Sequence, residues 1–128
     1  MRILLDTVTF IRAVIAPELL SAKAKAAIAE SGNVRELSVV SLTEIAIKQA
    51  LGKLNLRKED VMTGVADLKL RILPFTVEHA FRLFDLPSHS GHRDPFDRKL
   101  IAQALAEKAT IVSCDEKFGL YRGLSVIR

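Results

Sequence analysis

The feature that most limits the fold of this chain is a repeated switch between two periods. Short, near-continuous apolar runs alternate with stretches whose apolar residues recur at helical spacing. "RILL" (2–5) reads as a strand buried on both faces. "TVTFIRAVIA" follows with helical spacing until Pro17. "SAKAKAAIAES" (21–31) is a second helix, with Ser21 as N-cap and Gly32-Asn33 as its close. "ELSVV" (36–40) is a second strand, and "SLTEIAIKQALGKL" an amphipathic helix ending near Gly52. Residues 58–70 form another helix and "RILPF" (71–75) a third strand. "TVEHAFRLFDL" is a helix stopped by Pro87, and "PSHSGHR" is a polar loop. "DPFDRKLIAQALAEKA" is a helix with Asp94 as N-cap and Pro95 at its first position. "TIVSC" (110–114) and "LSVI" (124–127) are the last strands. This alternation predicts an α/β fold with a parallel sheet covered by helices on both faces.

Repeats, low-complexity tracts and linkers are absent, and 128 residues suffice for one core, so residues 1–128 read as a single domain. No apolar run nears the ~20 residues of a membrane span, and "MRILLD" reaches an acid too early for a signal peptide. With one cysteine, Cys114, the expected setting is the reducing cytosol. The net charge of +4 is compatible with a polyanionic partner without requiring one. Trp is absent and Tyr occurs once, which argues against recognition of bases by aromatic stacking.

Open α/β sheets bind ligands outside the C-terminal ends of their strands. Of the 15 acids, four fall at such places. Asp6 follows the first strand. Glu44 lies in the first turn of the helix after the second. Asp115 follows the fourth. Asp97 opens the helix that leads into the fourth strand, and reaches the same edge if loop 87–94 folds back. Each has a structural alternative. Ser41-Leu42-Thr43-Glu44 has the form of a capping box. Asp97 suits the positive end of a helix dipole. Asp115-Glu116 suits a turn. Asp6 is hardest to explain away. Four carboxylates in one cleft repel one another and would partly protonate without a cation. Mg²⁺, a hard ion that takes carboxylate oxygens, water and substrate phosphate, resolves that conflict. No Cys/His set has zinc spacing.

Around these acids stand residues with two readings each. Lys48 is either a surface partner of Glu44 one turn away or a cation beside the site. Arg93, Arg98 and Lys99 are either solvated helix-end charges or phosphate contacts. Ser113 can orient Asp115 or a metal-bound water. His89 and His92 read as solvated or substrate-facing rather than as ligands, and His79 as a helix-surface residue.

In "ILLDT", "SLTEIAIKQALGKLNL", "LPSHSGHRDPFDRKLIAQA" and "IVSCDEKFGLY", the chain resembles the PIN-domain ribonucleases. More narrowly, it resembles the VapC-type toxins of type II toxin–antitoxin pairs, in order along essentially its whole length. The resemblance implies a three-layer α/β/α sandwich with a central parallel sheet of about five strands, the first and fourth adjacent. It implies that Asp6, Glu44, Asp97 and Asp115 bind Mg²⁺ or Mn²⁺ and support metal-dependent cleavage of RNA; Lys48, Arg93, Arg98 and Ser113 are then expected near the substrate. It assigns capping to Asp94 and metal binding to Asp97. It further implies a VapB-like antitoxin that blocks the site and a homodimer, for which the apolar first helix offers an interface. The chain departs from the family pattern at Val8, Thr43 and Gly91, where His, Trp and a second His are common. The alternative within the family is an inactive scaffold that binds RNA or a protein partner. A receiver domain would need an acid after the third strand, where Leu73, Pro74 and Phe75 stand. A dinucleotide enzyme would need a glycine fingerprint, which "DTVTF" lacks.

Overall fold

The structure, a computed structural model, describes residues 1–128. One five-stranded parallel sheet lies at its centre in the order β3-β2-β1-β4-β5. The strands are β1 Arg2–Leu5, β2 Val34–Ser38, β3 Arg71–Leu73, β4 Thr110–Val112 and β5 Val126–Ile127. The helices are α1 Thr7–Ile15, α2 Ala22–Ala29, α3 Val39–Ala50, α4 Lys58–Asp67, α5 Val77–Asp85 and α6 Pro95–Glu107.

Side chains alternate across the sheet, and β1 shows why both faces are covered. Ile3 and Leu5 join a core containing Phe10, Ile28, Leu37, Ile45 and Val112. Leu4 joins the other core, with Leu100, Ile101, Ile111 and Phe118. Ile3, Leu4 and Leu5 are all fully buried. The chain fills positions to one side of β1 with β2 and β3, then places β4 on the other. The C-terminal ends of β1 and β4 are therefore neighbours at the point where the strand order reverses, the usual place for a ligand in such sheets.

Two expectations change here. The second strand ends at Ser38, and Val39 and Val40 open α3. The Ser38 side chain accepts a hydrogen bond from the Val40 N–H at 3.0 Å, so the helix starts before Ser41. An apolar run does not distinguish the end of a buried strand from the start of a buried helix; the cap does. His79 is likewise no surface residue. It is fully buried, with Nδ1 accepting from the Thr76 N–H at 3.0 Å and Nε2 2.8 Å from Glu107.

The first helix turns most of its apolar residues inward. Phe10 is buried, Ile11 and Val14 pack on the core, and only Val8 and Ile15 stay exposed. Its close approach to α4 requires Gly64, where an added Cβ would lie 2.6 Å from Val14 Cγ2 and 3.3 Å from Phe10 Cζ. Between α3 and α4 runs an apolar trough of about 660 Å³, with no carboxylate in its lining.

Gly64→Ala is expected to lower the melting temperature. An overpacked contact costs ~1–3 kcal/mol, against ~1 kcal/mol gained in helix propensity. Adding Val14→Ala should recover part of the loss, so thermal denaturation of both single variants and the double variant should show non-additivity.

Candidate metal centre

Asp6 sits one residue beyond β1. Its N–H donates to the Val112 carbonyl at 3.1 Å, extending the β1–β4 pairing. Its carboxylate accepts from the Thr9 N–H at 2.8 Å and so caps α1. The side chain is nearly inaccessible. Burial raises its pKa, the Ser113 hydroxyl and Thr9 oppose that rise, and the charge of Asp115 adds to it. Asp115 follows β4 by three residues and caps a short 3-10 turn, accepting from the Lys117 N–H at 2.9 Å. Its own N–H donates to Ser113 Oγ at 3.1 Å. Ser113 is buried and so serves both acids.

Asp94 and Asp97 divide as follows. Asp94 is exposed and caps α6, accepting from the N–H groups of Phe96 at 2.8 Å and Asp97 at 3.1 Å. Asp97 is half-buried. Its carboxyl is pushed up to about 6 by burial first and by the charges of Asp94 and Asp6, while His92 pulls it down. Single ligand atoms of His92, Asp97 and Asp115 all lie within 4.8 Å of one another. Asp6, Asp97 and Asp115 thus form one electrostatic group at the ends of β1 and β4.

Glu44 comes from the other side. With α3 starting at Val39, it occupies the sixth helical position, too deep for a capping box. It is 4% exposed. Oε2 pairs with Lys48 Nζ at 2.6 Å, while Oε1 is buried without a hydrogen-bond partner. An orphaned buried carboxylate oxygen is costly. Lys48 is half-exposed, and Glu44, Asp94 and Asp97 all raise its pKa. This donor set, carboxylates short of cations plus an unsatisfied oxygen, fits a hard divalent ion such as Mg²⁺ or Mn²⁺.

Beside the acids is a polar hollow of about 490 Å³ lined by Ser88, His89, Ser90, His92, Arg93 and Arg98. Arg93 is exposed. Arg98 lines the hollow, but its guanidinium is committed to the loop. It donates to the Pro87 carbonyl at 2.9 Å, the Leu86 carbonyl at 3.4 Å and the Tyr121 hydroxyl at 3.1 Å. These contacts bring the loop back over the site. His92, read from the sequence as solvated or substrate-facing, is 3% exposed. It lies 2.8 Å from the Tyr121 hydroxyl and 3.1 Å from Asp97 Oδ2. No spacing signals this, because Tyr121 is 29 residues away and meets His92 only through the fold.

Comparison with known proteins identifies the family and the fold. The PIN domain family model matches residues 3–124. No curated protein sequence matches the chain. Among solved structures, one chain of VapBC2 from Rickettsia felis, bound to a DNA fragment from their promoter, superposes with a TM-score of 0.75 at 19% identity, covering 99% of this chain and 98% of that one. FitAcB from Neisseria gonorrhoeae gives 0.66 at 20%, covering 98% and 96%. VapBC-5 from Mycobacterium tuberculosis, of the VapBC family of toxin–antitoxin systems, gives 0.62 at 20%, covering 99% and 98%. At these identities the likeness speaks to the fold, a single parallel five-stranded sheet flanked by helices. The family rests on the match along residues 3–124: the chain belongs to the PIN domain family, whose members are generally nucleases.

Proposed function

We propose that this protein is a Mg²⁺- or Mn²⁺-dependent endoribonuclease, and that it acts as the toxin of a VapBC-type toxin–antitoxin pair. The observation that carries this reading is the grouping of Asp6, Asp97 and Asp115 at the ends of β1 and β4, where burial raises the pKa of Asp6 and Asp97 and the acids' own charges add to it. The unpartnered oxygen of Glu44 supports it. Asp6, Asp97, Asp115 and Glu44 would hold the ion. When bound there, a divalent ion supplies Lewis acidity and lowers the pKa of a water to that of a usable nucleophile. The remaining work falls to side chains. Ser113 steadies Asp6 and Asp115. Lys48 restrains Glu44. Arg93, exposed at the hollow, neutralises substrate phosphate, so binding should weaken with salt. Arg98 keeps the loop in place and adds positive potential there.

The antitoxin is the partner that the toxin–antitoxin neighbours suggest, and the exposed unpaired thiol of Cys114 suits the cytosol as the setting. No helix is long and apolar enough to cross a membrane. For the homodimer, α5 is a better candidate face than α1. Val77, Phe81 and Phe84 are 72%, 65% and 82% exposed on one side of α5, flanked by Glu78, Arg82 and Asp85. Charges of both signs beside an apolar stripe let the same helix of a second copy pair with it in antiparallel order.

The decisive assay follows cleavage of structured RNAs with Mg²⁺, Mn²⁺ or EDTA. Asp97→Asn should reduce the rate by at least ~10²-fold, as expected on loss of a group that holds the catalytic ion. Asp94→Asn should stay active and stable, because Asn caps a helix about as well as Asp. Metal-independent cleavage, or an inactive Asp94→Asn beside an active Asp97→Asn, would sink the assignment.

The raised pKa of Asp97 gives a second test. Its folded value is about 6 against an ordinary 3.8, so the folded state holds this proton more tightly than the unfolded chain between those values. Stability therefore falls as pH rises through that window. In metal-free protein, Asp97→Asn should be more stable than wild type at pH 7, by on the order of 1 kcal/mol, and lose that advantage near pH 4. Melting curves across pH 4–7.5 check this. For the dimer, Phe84→Asp should shift the chain to monomer by light scattering; a wild-type monomer at high concentration excludes the interface.

A further inference from the structure

The hydrogen bonds around His92 have a direction. Arg98 can only donate, and its Nη1 donates to the Tyr121 oxygen at 3.1 Å. The Tyr121 hydroxyl is then free to donate to His92 Nδ1, 2.8 Å away. With Nδ1 accepting, the ring hydrogen sits on Nε2, which donates to Asp97 Oδ2 at 3.1 Å. Tyr121 and His92 are each 3% exposed. Phe118 lies against the imidazole at 5.5 Å, and the backbone N–H of His92 donates to the His89 carbonyl at 2.9 Å. The ring can neither turn nor tilt without breaking one of these contacts.

We propose that Tyr121 and His92 form a positioning relay for Asp97, in which the tyrosine hydroxyl orients the imidazole and the imidazole N–H holds one carboxylate oxygen. His92 lies close enough to Asp97 and Asp115 to look like a metal ligand. Yet its Nε2 carries the hydrogen given to Asp97, and its Nδ1 is engaged by Tyr121. It presents no lone pair to an ion. Its role is to fix Asp97 Oδ2, leaving Oδ1 without a protein donor. Carboxylates that hold metals are commonly fixed in this way, and loss of such a partner costs about 10–100-fold in metal affinity. Tyr121 and His92 are positioning residues, not catalytic ones. The inference rests on the metal-dependent reading above.

The test is Mn²⁺ binding to the full chain followed by EPR, with wild type, Tyr121→Phe, His92→Leu and His92→Gln. Phenylalanine keeps the ring that packs on His89 and removes only the hydroxyl. Glutamine keeps an N–H donor for Asp97. The relay predicts roughly tenfold or greater weakening with Tyr121→Phe and His92→Leu, and recovery with His92→Gln. It also predicts no directly coordinated nitrogen in the pulsed EPR of wild type. A coordinated nitrogen would make His92 a ligand and overturn the relay. So would wild-type affinity in Tyr121→Phe, which would reduce the contact to a loop anchor, or failure of glutamine to rescue. If wild type itself binds no Mn²⁺, the metal reading falls and takes the relay with it. If wild type binds and the variants match it, only the relay falls.

Discussion

The backbone hydrogen bond from the Asp6 N–H to the Val112 carbonyl carries the β1–β4 pairing past the end of β1, and the site depends on it. It fixes where Asp6 leaves the sheet relative to Ser113 and Asp115, which leave β4 next to it. The pairing itself is set by Ile3, Leu4 and Leu5 against Thr110, Ile111 and Val112, in the middle of the sheet. A shift of one residue would reverse which side chains face each core. The register of the hydrophobic centre thereby becomes the register of the carboxylates.

The acids around the sheet fall into two kinds. Glu36 is fully buried in β2 but meets Arg2 through two hydrogen bonds of 3.0 and 3.1 Å, with Arg71 at 3.7 Å. Glu107 has His79 and Arg2, and its pKa is lowered, chiefly through His79. These acids join strands and helices. Asp6 and Asp97 are also withdrawn from water, yet their pKa values are raised because desolvation and the neighbouring carboxylates outweigh the hydrogen bonds that favour the charged form. Acids paired with arginine hold the fold together; acids whose charged form burial disfavours gather at one edge and suit an ion from outside.

Much of the architecture is legible because it rests on local patterns. Short apolar runs mark most of the strands, and Ser21, Asp94 and Pro95 mark helix starts through the backbone N–H groups that such residues cap or spare. The boundary at Ser38 is less legible, because Val39 and Val40 suit a strand and a helix equally. Glu44 consequently has the look of a capping residue, which the earlier start of the helix removes. The apolar first helix offers a surface for a partner; in the fold Phe10 of α1 is buried, Val8 and Ile15 stay exposed, and the aromatic side chains left outside belong to α5. Spacing tells how many apolar residues share a face, not what that face meets.

From the sequence alone came the parallel α/β class, the order of its elements and the acids that end or follow strands, because hydrophobic period and capping act over a few residues. The tertiary structure alone decided that His79 is buried on Glu107, that Arg98 ties down the loop, and that Tyr121 and His92 reach Asp97. Those contacts join elements that only the fold brings together, and a buried polar group is defined by the partners it finds there.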